Sequence, residues 1–185
     1  MKILPFNPKN IFSPGMLEFR FGNYVKPIEP SHLKKLKHGI VILGLADDTG
    51  VRNVGGRPGA ADGPMAIRKR LYKFTAGAPQ LPVYDLGDIS PATSVKETHA
   101  FSTSLIRTIH ETGHFPVILG GGHDLGFPPA LALLESKKAP VTVINIDAHL
   151  DVRPVKGKIT SGSPWFLLRE HPLYQQSKSR LEEFG

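Results

Sequence analysis

Residues 141–151 read Val-Thr-Val-Ile-Asn-Ile-Asp-Ala-His-Leu-Asp, a β-branched run that passes without a break into alternating carboxylates and an imidazole. The composition of 141–146 predicts a strand, the clearest in the chain. Asp147, His149 and Asp151 follow at i, i+2 and i+4. If the backbone stays extended there, the three side chains share one face just beyond the strand's end. Groups of this kind, gathered and partly desolvated, need a positive partner, and a divalent cation supplies it. The plainer alternative is an acidic loop that caps the next element.

Working outward, the same rhythm recurs upstream. Residues 39–46, GIVILGLA, are a short continuous apolar run, as in a strand buried on both faces. Asp62-Gly63-Pro64 predicts the start of a helix reaching about Phe74, with proline in its first turn. Residues 83–86 and 115–119 read as two more strands. Residues 93–112 read as a long helix stopped by Gly113, and 127–136 as another. Alternating strands and helices imply an α/β fold of three layers, a mostly parallel sheet between helices. Ligands of such sheets bind beyond the carboxyl ends of the strands. Residues 1–38, with several Pro, Gly and Asn and no sustained period, read as an irregular arm around a domain spanning 39–185.

A second cluster, Gly120-Gly121-Gly122-His123-Asp124, directly follows the strand at 115–119. Glycines allow a sharp backbone turn, and they deliver His123 to the sheet edge that also carries Asp147. His123, Asp147, His149 and Asp151 are therefore the candidate metal ligands. Nitrogen and oxygen donors without sulfur favour Mn²⁺, with Zn²⁺, Fe²⁺, Co²⁺ and Ni²⁺ as alternatives. The chain has no cysteine, which removes disulfides and thiolate zinc sites.

Other motifs delimit the function. The only Gly-x-Gly is Gly120 and Gly122, and Leu125 stands where a dinucleotide fingerprint needs its third glycine. There is no P-loop ending and no Gly-x-Ser-x-Gly elbow. In the cradle from Gly55 to Pro64, Arg57 either clamps a substrate carboxylate or ties the loop down. Thr160-Ser161-Gly162-Ser163-Pro164-Trp165, with Arg153, either binds an amino-acid head group or forms a turn and helix cap. The net charge is +7, but Lys34, Lys35, Lys37, Lys137, Lys138, Lys156, Lys158, Lys178 and Arg180 are scattered without interleaved aromatics. A nucleic-acid partner is not expected. No apolar run approaches a membrane span, and the first ten residues lack a signal peptide's apolar core, so a cytoplasmic location is expected.

GGGHD at 120–124 and DAHLD at 147–151, with GGRPGAADGPMAIR at 55–68 and YDLGDI at 84–89, resemble the motifs of the arginase, agmatinase and formimidoylglutamase family. They run in the family's order over about residues 40–165. The resemblance implies an α/β/α fold with two Mn²⁺ ions at the sheet's carboxyl edge, a homo-oligomer, and hydrolysis of a small linear amidine or guanidine substrate. It makes Asp151 and His149 catalytic and Arg153, Ser161, Ser163 and Arg57 substrate-binding. Within the family, NVGGRPGAADGP, the glycine before His123 and SGSPW look most like formimidoylglutamase, a histidine-degradation enzyme that forms L-glutamate and formamide. Agmatinase or another guanidine hydrolase is the alternative. Arginases carry a histidine soon after the matching Ser-Gly, whereas Ser163, Pro164, Trp165 and Phe166 follow here. The family also has a later Ser-x-Asp-x-Asp segment, but the acids after Asp151 are Glu170, Glu182 and Glu183 alone. The expectation is an N-terminal portion of a longer enzyme, its sheet incomplete at the C-terminus and the portion itself inactive. The alternative is a non-catalytic module that self-associates.

Overall fold

The computed structural model describes residues 2–7, 19–137 and 139–185. The apolar run near residue 40 forms the third strand in chain order. β1 is Ile3–Leu4, β2 Val25–Pro27, β3 Ile40–Leu45, β4 Val83–Ile89 and β5 Phe115–Leu119. β3 lies between β4 and β5, parallel to both. The outer edge of β4 is shared: β2 pairs parallel with its first residues and β1 antiparallel with its last. Two strands of this five-stranded sheet thus come from 1–38, the stretch read from sequence as an irregular arm; its residues 8–18 lie outside the described residues.

Alternation along β3 builds a core on each face. Val41, Leu43 and Leu45 pack with Leu105, Ile106 and Ile109 of α3, Val95–Glu111. Ile42 and Leu119 face the opposite layer, with Tyr72, which caps α2, Gly63–Leu71. Before α2, the short α1, Thr49–Asn53, follows β3 directly. After β5, α4, Phe127–Ser136, packs beside α3. This is the expected three-layer arrangement of helices on a mostly parallel sheet.

The boundaries differ from the sequence reading where local chemistry intervenes. α2 begins at Gly63, because Gly59 sits at φ 124° and residues 60–62 form a 3-10 turn first. It ends at Leu71 instead of Phe74. α3 starts after Ser94, whose side chain accepts from the Glu97 amide.

One larger difference concerns the strand expected at 141–146. It forms as β6, Thr142–Ile146, but it does not extend the central sheet. It pairs in parallel with β7, Arg180–Phe184, in a separate two-stranded sheet. Between them the chain makes α5, Pro164–Glu170, and α6, Pro172–Gln176, neither foreseen from periodicity. α5 joins the ribbon to α4 through Trp165, Leu168, Ala130 and Leu134. The opposite face of the ribbon leaves Ile144, Ile146 and Phe184 60%, 84% and 57% exposed.

Candidate metal centre

The site forms where the loops after β3, β5 and β6 meet. Gly121 passes so close to the loop after β3 that a Cβ would overlap the Asp47 carbonyl. The Gly122 amide donates to that same carbonyl at 2.8 Å. Only a side-chain-free backbone fits this approach. Asp47 is itself fixed, its carboxylate accepting from the Thr49 amide at 2.8 Å and the Thr98 hydroxyl at 3.0 Å. A 3-10 turn, His123–Gly126, then starts directly on the candidate ligand.

The segment after β6 bends; it does not stay extended. Asp147 Oδ1 accepts the His149 amide at 2.9 Å, and Asp151 takes the left-handed region at φ 45°. A hydrogen-bonded Asx turn replaces strand geometry, so the alternating spacing does not put all three side chains on one face. Asp147 and Asp151 converge with His123, one donor atom from each lying within 4.8 Å of the others. His149 stays outside that set, its side chain 82% exposed and its Nδ1 3.4 Å from Asp147 Oδ1.

His123 Nε2 lies 3.2 Å from Asp151 Oδ2 and 3.7 Å from Asp147 Oδ2. It is shielded from solvent, yet neither approach has hydrogen-bond geometry and the atom has no partner. A buried ring nitrogen facing two carboxylates without bonding them fits a cation seated among the three. The Asp147 carboxyl is held below its usual range, chiefly by the His149 amide, with burial opposing and the nearby His123 assisting. It is therefore already ionised as a ligand must be.

Beside this cluster lies a cavity of about 550 Å³, lined by Val54, His149, Asp151, Arg153, Ser161 and Gly162. Arg153 and Ser161, both foreseen as substrate contacts, share it. Ser163 does not: it is buried, and its hydroxyl bonds Thr160 at 2.9 Å, so it serves the turn before α5. Arg57 is exposed and lines no part of this cavity. Its loop is held instead by Asp48, which accepts the Gly59 amide at 2.7 Å and pairs with Arg52 at 2.6 Å.

A profile of the arginase family matches residues 38–181. The chain belongs to the arginase family. Among curated relatives, formimidoylglutamase of Aeromonas salmonicida (strain A449) is 38% identical over 135 residues, covering 71% of this chain and 43% of the relative. That of Chromobacterium violaceum is 39% identical over 129 residues, 69% of this chain and 41% of the relative. A crystal structure of Trypanosoma cruzi formiminoglutamase with Mn²⁺ superposes with TM-score 0.69 at 32% identity, covering 83% of this chain and 56% of that one. Formimidoylglutamase from Bacillus subtilis, at 20% identity, matches in fold with TM-score 0.69 over 97% of this chain and 59% of that one. The chain thus spans about half the length of the curated relatives it matches.

Three site residues escaped the sequence reading. Trp165 packs edge-on to the His123 ring at 6.1 Å; from sequence it stood in the 160–165 stretch read as a head-group site or as a turn and helix cap, with no role of its own. Asp47 and Asp124 are buried acids in the loops that follow β3 and β5, two and five residues past the strand ends. An acid in the loop beyond a strand's carboxyl end is the signal that could have found them.

Proposed function

We propose that the chain is the part of a formimidoylglutamase that carries the first metal ligands, hydrolysing N-formimidoyl-L-glutamate to L-glutamate and formamide. The single observation that carries this is the His123, Asp147 and Asp151 cluster beside a cavity that also holds Arg153. His123, Asp147 and Asp151 would hold a divalent cation, Mn²⁺ by its preference for such donors. His149, whose Nδ1 lies 3.4 Å from Asp147 Oδ1, would be the fourth ligand. In complete relatives of the family a pair of ions is expected. When bound, the metal supplies Lewis acidity that makes water acidic enough to attack near neutral pH.

The chain's own groups do the rest. Arg153, exposed at the cavity wall, pairs with a substrate carboxylate, and Ser161 hydrogen-bonds the head group. Asp151, lining the cavity floor, takes a proton from the attacking water. The water oxygen bonds the formimidoyl carbon, and the bond from that carbon to the glutamate nitrogen breaks. Asp151 returns that proton to the nitrogen as it leaves, and the carbon's new hydroxyl loses its own proton to solvent, giving L-glutamate and formamide from the amidinium form of the substrate. Leu150 and Val54 give the cavity an apolar wall that limits water.

The test is product analysis with Mn²⁺, measuring formamide from N-formimidoyl-L-glutamate and urea from arginine and agmatine. Because the chain covers about half of its relatives, the assay is run on the chain and on the protein read from the frame that encodes it. Urea without formamide overturns the substrate choice. A second reading, a non-catalytic module that associates with its own copies, is favoured by the bare apolar face of β6 and β7. Product from neither protein, with the chain dimeric in solution, would favour that module.

A further inference from the structure

The acid beside the candidate ligand is placed in a way that the turn alone does not require. Asp124 is 2% exposed, and its Oδ2 lies 3.0 Å from Nε2 of His99, a residue of α3 that is itself 3% exposed. The surroundings are largely apolar: Leu125 is in the core and the Phe127 ring stands 5.7 Å from the His99 ring. Room for the carboxylate is made by glycines. A Cβ on Gly50 would overlap it, and one on Gly122 would come within 2.7 Å of Oδ1. Burying a carboxylate and an imidazole is costly, and an aliphatic pair of similar volume would hold α3 against the turn at least as well.

What the polar pair adds is a directional anchor. The turn His123–Gly126 has four residues, so fixing Asp124 fixes the backbone of His123 beside it. The His123 ring needs that support, since its side chain is 37% exposed and its contact with Trp165 is edge-on. The turn's other anchors are backbone bonds: Gly122 to Asp47 in the loop after β3 at 2.8 Å, and Leu125 to Gly122 within the turn at 3.1 Å. His99 is the one residue that ties this turn by a side-chain bond to a long helix of the sheet's outer layer, among the described residues.

We propose that His99, acting through Asp124, is a positioning residue that sets the His123 imidazole for metal binding. The proposal rests on the metal reading above. Outer partners of metal ligands commonly change affinity by about 10–100-fold when removed, and that is the size expected. Neither residue touches the ion; the effect passes through the backbone of the turn.

The test compares His99→Phe, which keeps a ring and loses the bond, with His99→Gln, which keeps an N–H for Asp124. Asp124→Asn weakens the same bond from the other side and covers the case in which a ring variant folds poorly. Mn²⁺ is titrated while quenching of the single tryptophan, Trp165, is followed. In parallel, His123 imidazole nitrogen resonances are recorded without metal, and thermal midpoints are measured. The expected result is about 10–100-fold weaker Mn²⁺ binding in His99→Phe and Asp124→Asn, with recovery in His99→Gln. The His123 resonances should shift in His99→Phe and return in His99→Gln. Unchanged Mn²⁺ affinity and unchanged His123 resonances overturn the proposal. So does a loss that tracks the thermal midpoint across all three variants. If the wild-type chain takes no Mn²⁺, the metal reading fails; the metal-free His123 resonances then decide the positioning role alone.

Discussion

Removing Arg68 should damage this fold more than removing any single aliphatic side chain of similar exposure on the same helix. Arg68 of α2 is fully buried. Its Nε and Nη2 grip both oxygens of Asp85 at 2.8 and 3.0 Å, Nη2 also reaches the Gly87 carbonyl at 3.0 Å, and Nη1 meets Asp88. Tyr72 donates its hydroxyl to Asp85, and the Gly87 amide donates to it at 2.7 Å. The guanidinium also lies 5.0 Å from the Phe6 ring centre. Burial alone would ease its proton off; the hydrogen bonds and charges of Asp85 and Asp88 outweigh that and hold it charged, its pKa raised. Tyr72 is pushed up by burial first and then by Asp85, so it remains a neutral donor. Arg68→Met leaves the Asp85 carboxylate buried with Tyr72 and Gly87 as its partners among the described residues. Breaking one side of a buried pair costs about 3–5 kcal/mol. For a chain of this size that lowers the thermal midpoint by roughly 6–20 °C. Urea unfolding followed by far-ultraviolet circular dichroism measures it, with Asp85→Asn and the double variant completing a cycle. The double variant should cost less than the sum of the singles. A single-variant loss below about 1 kcal/mol, or strictly additive costs, would refute the claim that the charges are buried and coupled.

His123→Ala and Asp151→Asn should each abolish Mn²⁺ quenching of Trp165, whereas His149→Ala should weaken it less, because that ring stands outside the set of three; equal effects in a titration would contradict this ordering. Asp48 is held below the ordinary aspartate value of 3.8, first by the Gly59 amide and, against burial, by Arg52. Its contribution is complete above that value and is lost as pH falls through the lower folded-state value, so Asp48→Asn should flatten the stability curve below about pH 4 in acid titrations. Gly122→Ala, whose new methyl would meet Asp124 at 2.7 Å and Val51 at 3.2 Å, should cost about 1–3 kcal/mol in urea unfolding. Ile146→Lys, on the bare face of β6, should lower any self-association seen by sedimentation without shifting the thermal midpoint downward by more than about 2 °C.

Much of the fold and part of the site were legible in the sequence, for identifiable reasons. A continuous apolar run marked β3, because a strand covered on both faces has no polar positions to offer. Glycine and proline punctuated the helices, since both act through the backbone and need no distant partner. Asp147, Asp151 and His123 stood in loops that follow strands, which marked them as candidates, but β5 and β6 belong to different sheets, so their meeting depends on how those loops pack and not on one shared edge. The alternation argument failed for His149 because a carboxylate two residues earlier captured its amide and turned the chain, an interaction a periodicity count does not include.

By itself, then, the sequence determined the class of fold, the order of its central strands' neighbours in the chain, and which strand ends carry the donor atoms. The tertiary structure decided the pairing of β6 with β7 instead of β5, the burial of Arg68 on Asp85, and the His99 bond that backs the turn of His123. Those are contacts between residues 17 to 38 positions apart or more, chosen by which surfaces meet when layers pack, and no local pattern encodes that choice. The feature that opened the reading, carboxylates trailing a strand, became a candidate metal centre through a left-handed Asp151, a tight glycine approach to Asp47, and a histidine from another loop.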